Sequence, residues 1–297
     1  MIFVTHIKVM RLDKLIGFKI KILALIMIGF LANSTQSFSN NIQTIEQKTD
    51  SLKYYFSLIV EAKNDIEKED INNKILTEFR NILNLNESFT YEFVTLKNIG
   101  VINSSDNKLR IITWNLPYND GTHKYFGFIQ FQKTKKKILT FELNDQSNKI
   151  ENPETKILNH NNWYGALYYK IIENKYKGST YYTLLGADLN NLFTHKKIVE
   201  ILYFDDKNLP VFGKPVFKNQ KSNIMRVIFE FNAQSNMTLT YDENMQMIVY
   251  DHLSPSRPSL KGQFEFYGPD FSYDGLKFER GIWNTYQEID VRNYMLE

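Results

Sequence analysis

The sequence predicts an α+β protein that is mainly antiparallel β, with an N-terminal helical pair packed on a curved sheet, an open barrel or a sandwich. The main observation is the stretch Trp163–His252, where short runs rich in Tyr, Phe, Ile and Val are interrupted by Gly, Asn, Asp and Pro. Such runs are typical of antiparallel strands joined by turns. The second observation is the helical spacing of apolar residues between residues 42 and 85.

Two helices are predicted within residues 40–86. Their apolar positions are Ile45, Leu52, Tyr55, Phe56, Ile59 and Val60 in the first helix, and Ile71, Ile75, Leu76, Phe79, Ile82 and Leu83 in the second. The polar stretch 64–70 indicates a break, and Asp70 is suited to cap the second helix. We interpret the pair as a hairpin that packs on the protein's own sheet, whereas an exposed apolar stripe would indicate a helix pair that docks a partner.

An antiparallel β domain is predicted over residues 87–290. The polar stretch 145–162 marks a long loop or an internal boundary within it. Near residue 229, Val227, Phe229 and Phe231 alternate with Arg226, Ile228 and Glu230, so we expect one face on a core and the other largely in water. The segment Pro269–Gly275 is predicted to be a tight loop, because Pro, Asp, Ser and Gly favour turns.

Residues 1–39 are predicted to be a signal peptide. Basic residues precede the apolar run Ile22–Ala32, and small or polar residues follow it, which is the anatomy of a secretory signal. The run of 11 residues is shorter than the roughly 20 that a membrane-spanning helix needs. We expect cleavage between Ala32 and Asn40, no transmembrane span afterwards, and a location in the periplasm, at the outer membrane or outside the cell. The alternative is an uncleaved N-terminal anchor.

Composition excludes several classes of function. The chain of 297 residues has no cysteine, which excludes disulfides, thiolate metal sites and a cysteine nucleophile. Most of its formal charge of +3 comes from the leader, since five basic residues and one acidic residue lie within 1–39. The remaining chain carries −1, so electrostatics gives no case for nucleic acid as a partner.

No common catalytic motif is present. GxSxG, HExxH, a Walker loop and GxGxxG are all missing, so we assign no catalytic residue, metal or cofactor, and the sequence favours a non-enzymatic protein. Candidate binding residues are aromatic, acidic or imidazole side chains near strand ends and turns: Trp163, Tyr182, Asp188, Asp251, His252, Tyr267, Asp270 and Tyr273. Asp251 and His252 are neighbours on a strand and are expected to point to opposite faces rather than to pair.

A glycoside hydrolase is the enzymatic alternative. It would need two carboxylates in one cleft, separated by about 5–5.5 Å or 6.5–9.5 Å. The carboxylates in or beside the strand-rich stretch are Asp188, Glu200, Asp205, Asp206, Glu230, Asp251, Asp270 and Asp274.

Several motifs resemble those of a family of uncharacterised secreted proteins from Gram-negative bacteria. They are YTLLGAD at 182–188, FGKPVF at 212–217, RVIFEF at 226–231, DHLSP at 251–255 and FYGPDFSYDG at 266–275. The resemblance implies export to the envelope and a shared β fold. It implies no activity and no catalytic residue, because none is assigned to that family.

Three functions are therefore considered. The first is a non-enzymatic binding or structural protein of the envelope, whose partner is a lipid, a glycan or another envelope protein. The second is a secreted hydrolase acting on glycans. The third is an assembly subunit that docks through its helical pair.

Overall fold

The computed structural model describes residue 36 and residues 38–134, 137–218 and 224–291. Two N-terminal helices are followed by three sheets whose strands mostly pair antiparallel. The predicted α+β fold, mainly antiparallel, is confirmed. The predicted signal peptide lies outside the described residues, apart from residue 36 and residues 38 and 39, which are helical.

The two helices are α1, described over residues 38–61, and α2, Asp65–Leu83. The prediction that Asp70 caps α2 is wrong, because the N-cap is Asn64. The Asn64 side chain accepts a hydrogen bond from Glu67 N–H at 2.9 Å, and the Glu67 carboxylate accepts from Lys63 N–H at 2.9 Å. These two hydrogen bonds satisfy N–H groups that have no partner within the helix. The acidic side chains of the first turn also stabilise the helix, because they interact favourably with the positive end of its dipole.

The apolar stripes of both helices pack on the protein itself. On α2, all six predicted apolar positions are buried, with Ile75, Phe79 and Ile82 fully inaccessible. Phe79 stacks on Trp114 of the first sheet with ring centroids 5.0 Å apart. On α1, Val60 is the exception, because it is exposed. The interpretation of a helical hairpin laid on the sheet is therefore confirmed.

The first sheet has the strand order β1–β2–β3–β4. Its strands are β1 (Gly100–Asn103), β2 (Leu109–Pro117), β3 (His123–Thr134) and β4 (Lys137–Asn144). Residues 145–162 then lead to the second sheet through three short 3-10 turns and the two-residue strand β5 (Leu158–Asn159).

The second sheet has the order β5–β9–β8–β7–β6, and β11 pairs with β8 as well. Its longer strands are β6 (Leu167–Tyr176), β7 (Ser179–Asp188) and β8 (Thr194–Phe204). The shorter strands β9 (Pro210–Phe212) and β11 (Arg226–Asn232) both pair with β8. The third sheet has the order β10–β15–β14–β13–β12, in which β10 and β15 are parallel. Its strands are β10 (Phe217–Lys218), β12 (Leu239–Asp242), β13 (Met247–Pro255), β14 (Tyr267–Glu279) and β15 (Ile282–Tyr286).

The helices and sheets stack as four layers. On β2, Trp114 faces the helices and Ile111 faces the second sheet. On β7, Leu184 faces the first sheet, while Leu185 packs with Ile248 of the third sheet. The period of two therefore places apolar residues in two different cores. This corrects the expectation of one wet face near residue 229, because Arg226 on the supposed wet face is fully buried.

The segment Pro269–Gly275 is not the predicted tight loop, because it lies within strand β14. Leu253 pairs with Pro269 and Asp251 with Tyr273, and the register shifts between these pairs. The extra residues form a β-bulge, which accommodates turn-favouring residues within a strand.

Candidate functional site

A cleft of about 640 Å³ opens where the first and second sheets meet. We call it the Asp188 cleft. Three separate segments line it: residues 118–125 from the β2–β3 turn and the start of β3, residues 145–149 after β4, and residues 188–196 from the end of β7 to β8, together with Tyr164. A cleft built from converging strand ends is a common setting for a ligand site.

The β2–β3 turn forms one wall, and its sequence, PYNDG, determines its shape. Gly121 N–H donates to Tyr118 O at 3.0 Å, and Tyr118 N–H donates to Thr122 O at 2.9 Å. Gly121 has a φ of 83°, a conformation that glycine adopts without steric cost. Leu192 of the β7–β8 turn packs against Gly121, since a Cβ there would lie 2.3 Å from Leu192 Cγ. The two walls therefore touch.

Asp145 attaches the second segment to β3. Its Oδ2 accepts from Tyr125 N–H at 2.9 Å, and its Oδ1 accepts from Ser147 N–H at 2.9 Å and Ser147 Oγ at 2.5 Å. Gly165 lies against this carboxylate, where a Cβ would be 2.6 Å from Asp145 Cγ. Any larger residue at Gly165 would displace Asp145, so the local sequence fixes the carboxylate in the wall.

Asp188 lies on the floor of the cleft and is 5% exposed. Its Oδ1 accepts from Tyr125 O–H and from Asn190 N–H, each at 2.7 Å. Its Oδ2 is 3.7 Å from Lys196 Nζ, which is longer than a hydrogen bond. Among the described residues, no donor forms a hydrogen bond to Oδ2, so beside its ion pair with Lys196 this oxygen keeps acceptor capacity for a ligand.

Lys196 and Tyr164 stand beside Asp188. Lys196 Nζ donates to Asn190 Oδ1 at 3.1 Å and to Tyr164 Oη at 3.4 Å. Burial, with smaller contributions from Asp188 and Glu230, raises the pKa of the Tyr164 hydroxyl, which therefore stays protonated. Within the described ranges no acceptor takes the Tyr164 proton, so this hydroxyl can donate to a ligand.

His123 supplies a further neutral donor. Its Nδ1 lies 2.8 Å from Asn115 Nδ2, which is a donor, so the ring accepts at Nδ1 and carries its proton on Nε2. Burial lowers the pKa of His123, while Asp188 opposes this effect. The imidazole is therefore uncharged at neutral pH.

Together these groups form a hydrogen-bonding surface with one ionised acceptor, two neutral donors and a lysine. Such a set matches a ligand with several adjacent hydroxyl groups, each of which both donates and accepts. In the described part of the chain there is no group of three or more His, Asp or Glu side chains that could hold a metal ion.

The structure separates the predicted binding residues. Asp188 is in the cleft, but Trp163 is fully buried beneath it and donates its indole N–H to Tyr168 Oη at 2.9 Å. Tyr182 is also buried, and its hydroxyl donates to Asp106 Oδ2 at 2.9 Å. Because both rings are occupied in packing, their predicted contact with a ligand is not supported.

The other five predicted residues, Asp251, His252, Tyr267, Asp270 and Tyr273, lie on β13 and β14 of the third sheet. His252 Nδ1 is 2.8 Å from Asp274 Oδ2, and Asp251 Oδ2 accepts from Thr238 N–H at 2.6 Å. As expected, Asp251 and His252 have different partners. Tyr267 and Asp270 line a shallow depression of about 570 Å³ beside them.

The bulge in β14 displays an aromatic ring. Asp270 Oδ2 accepts from Ser254 Oγ at 2.8 Å, and its Oδ1 accepts from Ser272 Oγ at 2.7 Å. Phe271, which lies between Asp270 and Ser272 in the chain, is 95% exposed and has a φ of 70°. A bulky residue with positive φ is a backbone outlier, and such strain is concentrated at functional sites. This surface is shallower than the Asp188 cleft and carries fewer buried polar groups.

Sequence reasoning missed most of the cleft. His123, Tyr125, Asp145, Tyr164 and Lys196 were not predicted as site residues. The turn-rich sequence around Asp145 and the aromatic residue beside Trp163 were available signals, but nothing in one sequence connects segments that lie 20 to 63 residues apart.

Comparisons with protein-family models, with curated proteins and with solved structures found no match to this chain. The resemblance to a family of secreted proteins therefore stays a prediction.

Proposed function

We propose that this protein is an exported, non-enzymatic binding protein of the cell envelope, and that it binds a glycan unit in the Asp188 cleft. The observation that carries the proposal is Asp188 Oδ2, which accepts no hydrogen bond from the described residues and shares the cleft with Lys196 and with the neutral donors of Tyr164 and His123. A sugar hydroxyl can donate to this carboxylate and accept from a neighbouring donor. Charge-assisted hydrogen bonds of this kind are about twice as strong as neutral ones.

A lipid within the sheet interior is less well supported. Large aromatic residues fill the layers between the helices and sheets, as Trp114, Trp163 and Trp283 show by their complete burial. The assembly role also loses support, since the apolar stripe of α2 packs on the first sheet.

The binding experiment uses the chain from Asn40 onward. Two probes are titrated by calorimetry: soluble peptidoglycan fragments and the oligosaccharide released from lipopolysaccharide. We expect one of them to bind the wild type, and Asp188→Asn to weaken that affinity at least tenfold, or about 1.4 kcal/mol. The amide keeps the size of the side chain, so Oδ1 can still accept from Tyr125 and Asn190.

The matched control is Asp206→Asn, because Asp206 is an exposed carboxylate in the turn between β8 and β9, outside the Asp188 cleft. This variant should bind like the wild type. The proposal fails if neither probe binds, or if Asp188→Asn and Asp206→Asn have equal affinities.

A glycan hydrolase is the second candidate, because two carboxylates, Asp145 and Asp188, line the same cleft. Both are attached to Tyr125, one through its backbone N–H and the other through its hydroxyl. The same two probes distinguish the functions. Release of new reducing ends by the wild type but not by Asp188→Asn would establish hydrolysis, and binding without release supports the binding protein.

Export is proposed from the leader sequence. Among the described residues, no helix has both the length and the apolar character needed to cross a membrane. N-terminal sequencing of protein from fractionated cells provides the test. A mature terminus between residues 33 and 40 in the envelope or periplasmic fraction would support export, and an intact leader in the cytosol would refute it.

A further inference from the structure

A groove of about 430 Å³ runs along one edge of the second sheet, over residues 169–173 of β6. We call it the β6 groove. One wall includes Ile102 of β1, which packs in the core between the first and second sheets, and the other includes Tyr241 of β12, which packs in the core between the second and third sheets. The edge of the middle sheet is therefore the floor of the groove, and the two outer sheets are its walls.

Side-chain hydrogen bonds hold both walls against β6. On the side of the first sheet, Ser105 Oγ donates to Glu173 Oε2 at 2.8 Å. On the side of the third sheet, Tyr169 O–H donates to Leu239 O at 2.8 Å. These contacts belong to the folded chain itself, so the groove is formed without a ligand, as binding sites usually are.

The hydrogen-bonding direction of β6 follows from its neighbours in the sheet. Gly213 N–H donates to Ile201 O at 2.7 Å, so the backbone groups of Ile201 on β8 face β9 and not β7. Thr183, the register partner of Ile201 on β7, therefore directs its backbone groups to β6. Ile172 is the partner of Thr183 on β6, and its N–H and C=O face β7.

The backbone groups of Ile171 and Glu173 face the opposite way, because the direction alternates along an antiparallel strand. Both residues line the groove. In the described part of the chain β6 pairs with β7 alone, so these outward N–H and C=O groups have no partner strand. Unpaired groups at every second residue are a template for one further strand.

The charge of the groove favours a basic partner. Its lining includes two carboxylates, Glu173 and Glu243, and one ammonium group, that of Lys170, which lies 2.9 Å from Glu243. The cation beside Glu173 is Lys175, which does not line the groove and is 70% exposed. Exposed ion pairs contribute little, so a cation within the groove can replace Lys175.

We propose that the β6 groove binds an extended peptide segment of a partner protein, which adds a strand antiparallel to β6. Side chains of the added strand alternate between the two walls. The residue opposite Ile171 faces the wall that contains Ile102, which suits an aliphatic side chain. The residue opposite Glu173 carries a basic side chain, because opposite charges across a strand pair are favourable.

The register shift at Tyr169 limits this edge. One extra residue lies in β6 between the pairs of Tyr168 and Lys170 with β7, which is a β-bulge. A bulge interrupts regular pairing and is one way in which proteins prevent edge-to-edge aggregation. The template that remains at residues 171–173 is short, so it suits a short peptide segment.

The test is calorimetry on the wild-type chain with the synthetic peptide acetyl-Thr-Lys-Thr-Val-Thr-amide. Antiparallel pairing places its Lys opposite Glu173 and its Val opposite Ile171. N-methylation of both Lys and Val should weaken binding at least tenfold, because their N–H groups donate to β6. N-methylation of the central Thr is the matched control and should leave binding unchanged, since that N–H points away from β6.

Two variants test the basic residue. Glu173→Gln keeps an acceptor for Ser105 and should weaken binding several-fold, whereas Lys175→Gln removes the competing cation and should tighten it. Lys207→Gln, at an exposed position in the β8–β9 turn, is the control and should bind like the wild type. Equal affinities of Glu173→Gln and Lys207→Gln would refute the placement of the basic residue.

Three results overturn the peptide site. The unmodified peptide does not bind, or the peptides methylated at the flanking and central positions bind equally. The third is a dimer of the free chain, seen by sedimentation, that the peptide dissociates, because the groove then belongs to a second copy of the chain.

Discussion

Arg226 and Glu200 form an ion pair in which neither side chain has any solvent exposure. They face each other across β11 and β8, and Arg226 Nε lies 2.5 Å from Glu200 Oε1. Tyr168 O–H donates to Glu200 Oε2 at 2.6 Å, and Arg226 Nη1 donates to Lys156 O at 3.0 Å. The pair thus ties the connector 145–162 to the middle of the second sheet.

Breaking this ion pair should destabilise the protein strongly. We expect Arg226→Met and Glu200→Leu each to lower the free energy of unfolding by about 3–5 kcal/mol, because each leaves one uncompensated buried charge. The double variant should lose less than either single one, since it leaves no buried charge. Urea unfolding followed by circular dichroism measures all three values.

The control is the surface ion pair between Lys170 and Glu243, whose side chains are 40% and 66% exposed. Lys170→Met should cost at most about 1 kcal/mol, because exposed pairs contribute little. Equal losses at the buried and exposed pairs would show that the Arg226–Glu200 contact does not stabilise the fold.

The sequence predicted the elements that depend on local pattern. The helical stripe Ile71–Leu83 was predicted from its spacing and is buried, and β7 and β8 were predicted from their composition. Strand β14 was missed over residues 269–275, because long-range pairing with β13 outweighs the turn preferences of Pro269, Asp270 and Gly275. A local pattern does not contain this pairing energy.

The layers and the site depend on contacts that a single sequence does not contain. The alternation of residues 226–231 predicted that Arg226 lies on a solvent-facing side, because an antiparallel sheet was expected to cover one core. The second sheet is instead covered on both faces. The Asp188 cleft depends on long-range contacts in the same way. Asp145, Tyr164 and Lys196 meet only because the first and second sheets stack, and Asp188 alone was predicted.

The N-cap of α2 provides a second prediction. Asn64→Ala should lower the free energy of unfolding by about 1 kcal/mol, because the Glu67 N–H loses its acceptor at the start of the helix. Asn81→Ala is the matched control at an exposed position inside the same helix, where alanine has the higher helix propensity. Chemical denaturation of both variants would contradict the assignment of the cap if Asn64→Ala were as stable as Asn81→Ala.

His252 should make stability depend on pH. The hydrogen bond to Asp274 raises the pKa of His252, while burial opposes it and the charges of Asp274, Asp270 and Glu288 add to the rise. The folded state therefore binds the proton more tightly than the unfolded chain. This contribution is complete below the ordinary histidine pKa of 6.5 and is lost as the pH rises through the raised folded pKa.

The measurement is the difference in unfolding free energy between the wild type and His252→Gln from pH 5 to pH 8. We expect the wild-type advantage to be greatest near pH 5 and to shrink above pH 6.5. The variant has to be subtracted from the wild type because burial lowers the pKa of three other histidines, His123, His160 and His195. Their contributions to the unfolding free energy change with pH in the opposite direction. A difference that grows with pH would contradict the charged contact to Asp274.

Phe271 should be replaceable with a gain in stability. Its positive φ costs a bulky residue roughly 1–2 kcal/mol, and its ring, which is 95% exposed, recovers little of this by burial. Phe271→Gly removes the steric cost but adds backbone entropy to the unfolded chain, so we expect a net gain of about 0.5–1 kcal/mol. Phe271→Asn should act in the same direction, because asparagine tolerates positive φ and adds less entropy.

Ile282→Gly is the control for Phe271→Gly, because Ile282 is a half-exposed strand residue without positive φ. It should lose stability, since glycine at this first residue of β15 removes a half-buried side chain and adds backbone entropy to the unfolded chain. Thermal unfolding of the three variants decides between two explanations of the bulge. If Phe271→Gly is destabilised like Ile282→Gly, the Phe271 ring contributes to packing. If Phe271→Gly is stabilised, the backbone strain at Phe271 serves a purpose other than stability. Contact with a partner is then the role that fits an exposed aromatic ring.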